Sequence, residues 1–157
     1  MEKIEFGCDN LGGIAKIYAV PISSFVKMQR NWSLGINRAI LQNRENIVEF
    51  DVFRTANYVE KMSQTDAGQA YEQAISGIVT GVDRAKKVIL DSLCGESWLV
   101  IWQDVNAKWW LSGTEDVPMS FSYERATGTS PADASAMRFK FSAVCATAAE
   151  LIEVASM

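Results

Sequence analysis

The acidic side chains around the tryptophan-rich centre of the chain are the first candidates for chemistry. Glu115 and Asp116 are adjacent, and Asp104 lies in the predicted turn that precedes them. Paired carboxyl groups perform general acid and base catalysis in hydrolases. Aspartate is also favoured in turns because its side chain hydrogen-bonds the nearby backbone. Since each of the three lies at a predicted strand end, we interpret them as turn residues.

Nucleophilic and metal-dependent chemistry are disfavoured by residue types. The chain has no histidine, so the commonest zinc ligand and the Ser/His and Cys/His nucleophile pairs are absent. Its three cysteines, Cys8, Cys94 and Cys145, are far apart and odd in number, which predicts reduced, buried thiols rather than a disulfide framework. Gly7, Gly12 and Gly13 lack the spacing of a phosphate-binding loop. We therefore expect no catalytic residue, cofactor or metal site, and predict that the protein is not an enzyme.

Length and composition predict one folded domain. The chain has 157 residues, of which 48% are hydrophobic and 22% charged. Its formal net charge of −4 disfavours tight binding to a phosphate backbone. The longest apolar runs, such as Trp98 to Trp102, are far shorter than the roughly 20 residues of a membrane-spanning helix. We expect no membrane association.

Strands are predicted wherever apolar and polar residues alternate, or where β-branched and aromatic residues cluster between turn signals. Ser23 and Ser24 suggest a brief helical turn through Met28, and Trp32, Gly35 and Asn37 have no clear period and are expected in a loop. The predicted strands are Ile4 to Phe6, Ile14 to Val20, Ile47 to Phe53, Trp98 to Gln103, Lys108 to Gly113, Met119 to Glu124 and Met137 to Cys145.

A long hairpin is predicted between Thr55 and Val79. The segment from Thr55 to Ser63 can extend, and Tyr71, Ile75 and Val79 are spaced for one face of a returning strand. The turn signals from Asp66 to Gly68 predict its tip. A helix over Gln69 to Val79 is the competing interpretation, because Ala70, Ala74 and Ile78 also fit a helical period.

One amphipathic helix is predicted to begin after Asp83, a favoured N-cap residue, and to end at Gly95. Its expected apolar face carries Ala85, Val88, Ile89 and Leu93. Together, the elements predict a mostly-β (α+β) fold, a β-sandwich or partly closed antiparallel barrel with one flanking amphipathic helix.

Four tryptophans, Trp98, Trp102, Trp109 and Trp110, lie in the predicted hairpin, where they can meet as cross-strand neighbours. They could line a ligand cavity, or they could supply core packing and a contact between subunits. Because neighbouring strand residues point to opposite faces, Trp109 and Trp110 cannot both enter one core.

Two segments are expected to reach other molecules, an N-terminal arm over residues 1–13 and the extended hairpin over residues 55–71. Extended segments add backbone hydrogen bonds to a neighbour's sheet edge. Ordinary surface loops are the alternative for both. The interface candidates in these segments and in the tryptophan hairpin are Ile4, Phe6, Tyr58, Met62, Tyr71, Trp109 and Trp110.

The order of elements from residue 70 to residue 146 resembles small structural proteins of tailed bacteriophages and prophages, particularly tail-tube and neck-type subunits. The resemblance rests on the helix from Asp83 to Leu93 and on the turn from Asp104 to Trp109, with Gly113 and Thr127-Gly128 in the loops. The stretches that carry it are WLVIWQDVNAKWWLSGTE, MSFSYERATGTSPAD and MRFKFSAV.

The resemblance implies a virion structural protein, assembled in the host cytoplasm, that forms a ring or tube with copies of itself and contacts other virion proteins. A tail tube is the leading assignment, and a head-tail connector or tail-terminator subunit is the alternative within the virion. DNA would pass as cargo without specific binding, which agrees with the acidic composition. A small-ligand-binding β-barrel remains the alternative outside the virion.

Overall fold

The computed structural model describes residues 12–31, 36–42, 45–52, 55–66, 68–81, 83–126 and 136–154. A short 3₁₀ turn (Ile22–Ser24) follows the first strand, and one α-helix, α1 (Arg84–Leu93), lies among the described residues. The strands in chain order are β1 (Ile14–Pro21), β2 (Phe25–Asn31), β3 (Ile36–Leu41), β4 (Val48–Asp51), β5 (Ala56–Thr65), β6 (Gly68–Thr80), β7 (Ser97–Asp104), β8 (Trp109–Ser112), β9 (Met119–Ala126), β10 (Ala136–Cys145) and β11 (Glu150–Ile152).

Nine of the described strands form one sheet, in which every pairing is antiparallel. The strand order is β11-β8-β7-β9-β10-β6-β5, and β1 pairs with both β7 and β4. The other two described strands, β2 and β3, pair with each other as a separate ribbon. The mostly-β class with one helix is therefore confirmed, while the choice between a sandwich and a partly closed barrel stays a prediction.

Strand β7 is a central strand of the large sheet, and both of its faces are covered by other parts of the chain. Five successive residues, Trp98 to Trp102, are buried. Trp98, Val100 and Trp102 pack into the main core, whereas Leu99 and Ile101 pack into a second cluster on the opposite face. A strand that is buried on both faces has a continuous run of apolar residues, which explains why apolar and polar residues do not alternate in this stretch.

The main core is built around phenylalanines from three strands. Phe50 of β4 lies with its ring centroid 4.7 Å from that of Phe139 on β10, and Phe121 of β9 lies 4.9 Å from Phe141. The predicted alternation of β10 is confirmed, since Met137, Phe139 and Phe141 are buried. The Phe139 ring occupies the space beside Gly77, where its Cζ would lie 2.5 Å from an added Cβ.

The predicted hairpin between residues 55 and 79 is confirmed, and the helical alternative for Gln69 to Val79 is wrong. β5 and β6 pair in register from Ala56–Gly77 to Thr65–Gly68. Gly68 has a φ of +120°, a conformation that glycine adopts at little cost in a tight turn. β6 lies between β5 and β10 in the sheet and buries Gln73, Ile75 and Gly77 on one face. The period of two in its sequence therefore indicates its structure correctly.

The start and end of α1 agree with the prediction, and its buried face agrees in part. The Asp83 side chain accepts a hydrogen bond from Lys86 N at 2.8 Å, and Gly95 follows the helix with a φ of +83°. Leu93 reaches the core as predicted, and it does so together with Leu90, which was not placed on that face. Val88 and Ile89 are instead 60% and 45% exposed, and Ala85 is exposed as well.

The segment after β1 differs most from the prediction. The helical turn expected through Met28 is confined to Ile22–Ser24, and Asn37, expected in a loop, belongs to β3. The β2–β3 ribbon packs Met28 and Leu41 against the second cluster, opposite the main core. Because the ribbon is separate from the large sheet and packs only a few apolar residues, its sequence does not show a regular alternation of apolar and polar residues. The short strand β11, which pairs with β8, was also not predicted.

Some expectations lie outside the described residues: the strand with Ile4 and Phe6, the residues Trp32 and Gly35, and the loop from Thr127 to Pro131.

Of the described cysteines, Cys145 is buried as predicted, whereas Cys94 is exposed, so that prediction was wrong for Cys94. It follows the last turn of a helix that is mostly exposed to solvent. Within the described ranges, no helix is long and apolar enough to cross a membrane.

Candidate assembly surfaces

The β5 strand is a long and exposed edge of the large sheet. It has ten residues, and every residue from Val59 to Thr65 is exposed. Among the described strands it pairs with β6 alone. Val59 is 53% exposed and Met62 is 54% exposed, and they lie on opposite faces of the strand. Natural proteins usually shorten, charge or cover such an edge, because it can pair with a strand of another chain.

The ladder between β5 and β6 determines which β5 backbone groups point outward. Ile78 N donates to Thr55 O at 3.2 Å. Because antiparallel ladders alternate, the odd-numbered residues of β5 bond β6, while the even-numbered residues direct their N–H and C=O groups away from it. Tyr58, Glu60, Met62 and Gln64 therefore form the row of backbone groups on the open edge.

The tip of the hairpin extends beyond the neighbouring strand. The last pair between β6 and β10 is Tyr71 with Cys145, and on the other side Tyr71 pairs with Met62. Three further pairs, from Ser63–Ala70 to Thr65–Gly68, have only the two hairpin strands. At about 3.4 Å per residue, this ribbon extends roughly 10 Å past β10.

The root of the hairpin is fixed to the body by Tyr58. Its ring lies 4.6 Å from that of Trp102, and its hydroxyl donates to Glu60 Oε2 at 2.8 Å. Burial, followed by the hydrogen bond with Glu60, raises the pKa of Tyr58 above its ordinary value of 10.0. The same Glu60 oxygen accepts from Ala149 N at 2.8 Å, which connects the hairpin to the segment before β11. Tyr58 is thus mainly an anchor of the hairpin.

A second anchor is the buried side chain of Gln73, which was not predicted. Its amide Nε2 donates to Thr147 O at 3.0 Å, and its Oε1 accepts from Gly113 N at 3.0 Å. Three chain segments are therefore held together by one amide at the root of β6. Cys145 lies close by in the adjacent strand, and burial, with a smaller contribution from Glu60, raises the pKa of its thiol.

The structure brings some of the predicted interface candidates together and separates others, and Tyr58 and Trp110 both stack on Trp102. Met62 and Tyr71 are cross-strand neighbours on the hairpin, with Met62 mostly exposed and Tyr71 half-buried. Trp109 and Trp110 lie on opposite faces of the other end of the sheet, as alternation requires. Ile4 and Phe6 lie outside the described residues.

The tryptophans pack against one another and against the core. Trp110 stacks on Trp102 with ring centroids 5.8 Å apart, and Trp109 lies 5.9 Å from Tyr18. The indole N–H groups of the first pair donate to Asp104 Oδ2 and Ser112 Oγ. Trp98 and Trp109 differ from the prediction that the tryptophans meet across strands. The cross-strand partners of Trp98 are Pro21 and Met119, and those of Trp109 are Gln103 and Ile152. Trp102 and Trp110 together with Tyr58 therefore form a filled aromatic stack.

The acidic side chains near this hairpin occupy turns. Asp104 Oδ1 accepts from the backbone N–H groups of Asn106 and Lys108, each at 2.9 Å. Glu115 and Asp116 are exposed in the turn that Thr114 and Val117 close. The described part of the chain contains no group of three or more side chains that could hold a metal ion.

Comparison of the chain with protein-family models, with curated proteins and with solved structures gives no match.

Sequence reasoning located the hairpin but not the features that make its edge available. The open edge of β5 follows from its place at the end of the order of described strands, which no local pattern encodes. The burial of Gln73 depends on two chain segments that are distant in sequence. Alternation in β6 could have placed Gln73 on the core face together with Tyr71 and Ile75, and this was the signal that was available.

Proposed function

We propose that this protein is a virion structural protein of a tailed bacteriophage or prophage that assembles with copies of itself into a ring or tube. A tail tube is the leading assignment. The protein would act in the virion, after assembly in the host cytoplasm, in contact with other virion proteins. DNA would pass through the assembly without specific binding.

The exposed edge of β5 carries this proposal. A ten-residue edge strand whose outward backbone groups have no partner strand among the described residues is suited to accept a strand from another subunit. The rigid anchors at its root, Tyr58 and Gln73, hold this edge in a fixed direction. A repeated contact in a fixed direction is what closes copies of one chain into a ring.

The net charge of −4 fits a passage for DNA, because like charge repels phosphate and prevents sticking. The alternative of a ligand-binding barrel receives no comparable support. The space among Trp102, Trp110 and Tyr58 is occupied by their own stacked rings.

The edge is tested by replacing Met62 with proline. Proline removes an outward N–H group and leaves the ladder to β6 in place, because Met62 is an even-numbered residue of β5. The control Met62→Ala removes the exposed side chain and keeps the N–H group. Each protein is examined by size-exclusion chromatography with light scattering and by negative-stain electron microscopy.

We expect the wild-type and Met62→Ala chains to form rings or tubes at high concentration, and Met62→Pro to remain monomeric with an unchanged circular dichroism spectrum. A wild-type chain that is monomeric at every concentration would contradict the proposed function. Assembly that is equal in Met62→Pro and Met62→Ala would contradict the role of the β5 edge.

A further inference from the structure

The accessible part of the β5 edge is centred on Met62. Every residue from Val59 to Thr65 is exposed, whereas toward the root Tyr58 is half-buried and Ala56 is buried. At about 3.4 Å per residue, these seven residues offer roughly 24 Å of open backbone. A partner strand that uses this whole length must therefore be about seven residues long.

The other strand edges that are open among the described residues are less suited to this length. β4 pairs with β1 alone but has only four residues, and β11 has three. β11 and β3 are joined by a hydrogen bond from Glu153 N to Asn37 O, and Tyr123 of β9 donates to Asp91 of α1. β2 has seven residues, but its register shifts near its start, and such an irregularity disfavours the addition of a strand. The same part of β5 in a second copy matches the required length.

The backbone restricts how two copies of this edge can pair. The even-numbered residues of β5 carry the outward N–H and C=O groups, so in an antiparallel pair they must lie opposite even-numbered residues of the other copy. A two-fold axis relates the copies in such a pair. The axis therefore passes beside one residue of the strand, and that residue lies opposite itself.

The charged side chains exclude the neighbouring registers. Centring the pair on Glu60 or on Lys61 would place that charge directly opposite its own copy. Centring it on Ser63 would place Glu60 opposite Asp66. Like charges directly opposite each other on a sheet are destabilising.

The register centred on Met62 avoids these contacts and pairs all seven exposed residues. Its opposite residues are Met62 with Met62, Lys61 with Ser63, Glu60 with Gln64, and Val59 with Thr65. In this arrangement no charge lies directly opposite another charge. About six backbone hydrogen bonds would form across the pair, two at each of its three even-numbered positions.

The like charges that remain in this register are diagonal, with Cα atoms about 7–8 Å apart. The two copies of Lys61 are diagonal on one face, and each lies beside Glu72 of its own chain, its cross-strand partner. Glu60 is diagonal to Asp66 of the other copy on the opposite face, where both are exposed and screened by water. Charge thus selects the register, whereas the backbone bonds and the partial burial of Met62, now 54% exposed, supply the attraction.

We propose that β5 pairs with β5 of a second copy, antiparallel, about a two-fold axis beside Met62. One sheet would then continue from β10, β6 and β5 of one copy through β5, β6 and β10 of the other. The inference rests on the proposed self-assembly and names the partner strand and its register. Because a two-fold contact closes on itself, the ring or tube would be built from dimers that are joined by a second contact.

Disulfide trapping in the full-length chain tests this register. Cys8→Ser and Cys94→Ser leave the buried Cys145 as the native thiol, and Met62→Cys or Gln64→Cys is added to this background. In the proposed dimer, the Cα atoms of the two substituted residues lie about 5.5 Å apart for Met62→Cys and roughly 15 Å apart for Gln64→Cys. Gln64→Cys is the matched control, because Gln64 is also an exposed, even-numbered residue of β5.

We expect Met62→Cys to form disulfide-linked dimers at least about tenfold faster than Gln64→Cys, because a disulfide requires Cα atoms within about 7 Å. Non-reducing electrophoresis after mild oxidation measures both rates. Equal rates, or a Met62→Cys chain that associates without cross-linking, would overturn the proposal.

A mixture of Val59→Cys and Thr65→Cys chains on the same background provides a second, independent measurement. The two positions are opposite each other in the proposed register, whereas each is roughly 20 Å from its own copy. The mixture should therefore cross-link, and neither chain should do so alone. Cross-linking of either chain alone at the rate of the mixture would contradict the register.

The outcome is separable from that of the proposed function. Dimers that cross-link through Met62→Cys but never form a ring or tube would support the pairing and refute the virion assignment. Rings or tubes in which Met62→Cys does not cross-link would refute the pairing and leave that assignment intact. A wild-type chain that is monomeric at every concentration would contradict both.

Discussion

Replacement of Gln73 by leucine tests the anchor that holds the hairpin. Gln73 is 1% exposed and makes two hydrogen bonds of 3.0 Å, to Gly113 N and Thr147 O. Leucine has a similar size but cannot make either of these two hydrogen bonds. Gly113 is buried, so its N–H would lose its partner away from water, while Thr147 is exposed and its carbonyl can bind water.

An unsatisfied buried donor costs about 1–3 kcal/mol, and the second hydrogen bond contributes about 1 kcal/mol, which gives a total near 3 kcal/mol. For a chain of this length, the melting temperature should fall by about 6–12 °C. The assay is thermal unfolding at low protein concentration, followed by tryptophan fluorescence. Gln69→Leu is the control, because Gln69 is an exposed residue of the same strand. A loss no larger than that of the control would refute the anchoring role of Gln73.

Three further predictions concern the core, the helix and the thiols. Gly77→Ala should lower the melting temperature by about 2–12 °C, because its Cβ would overlap the Phe139 ring, whereas Gly12→Ala, with nothing within 4 Å of its Cβ, should change it little. Hydrogen bonds from Lys87 and then Tyr123 lower the pKa of Asp91 below 3.8. The melting-temperature advantage of the wild type over Asp91→Asn should therefore be full above that pH and disappear as the pH falls through the lowered pKa; a constant difference would contradict it. Iodoacetamide should label Cys94 before Cys145, as read by mass spectrometry, because Cys145 is buried and its pKa is raised; the reverse order would contradict it.

The sequence was most informative where one element buries one face or ends at a specific cap. The alternation of β10 and the N-cap at Asp83 were evident because period two and side-chain capping are local properties. The hairpin tip at Gly68 was evident for the same reason, since the turn needs a positive φ. These local signals were enough for the fold class and the position of the hairpin.

The remaining features depend on contacts between distant segments. The buried face of α1 was predicted correctly for Leu93 but not for Val88 and Ile89, because these two fit the helical period as well as Leu90 does and only packing decides between them. Strand β3 was missed because its apolar residues pack on the second cluster rather than on the main core. The open edges of β5 and β4 follow from sheet order, which no local pattern contains.

The central claim is that the open edge of β5 pairs with another copy of the chain. Amide hydrogen exchange, measured by mass spectrometry in dilute monomer and in assembled particles, tests it most directly. The outward amides of Tyr58, Glu60, Met62 and Gln64 should exchange fast in the monomer and become protected upon assembly, since only a partner strand can bond them. Particles in which these amides exchange as fast as in the monomer would contradict the claim.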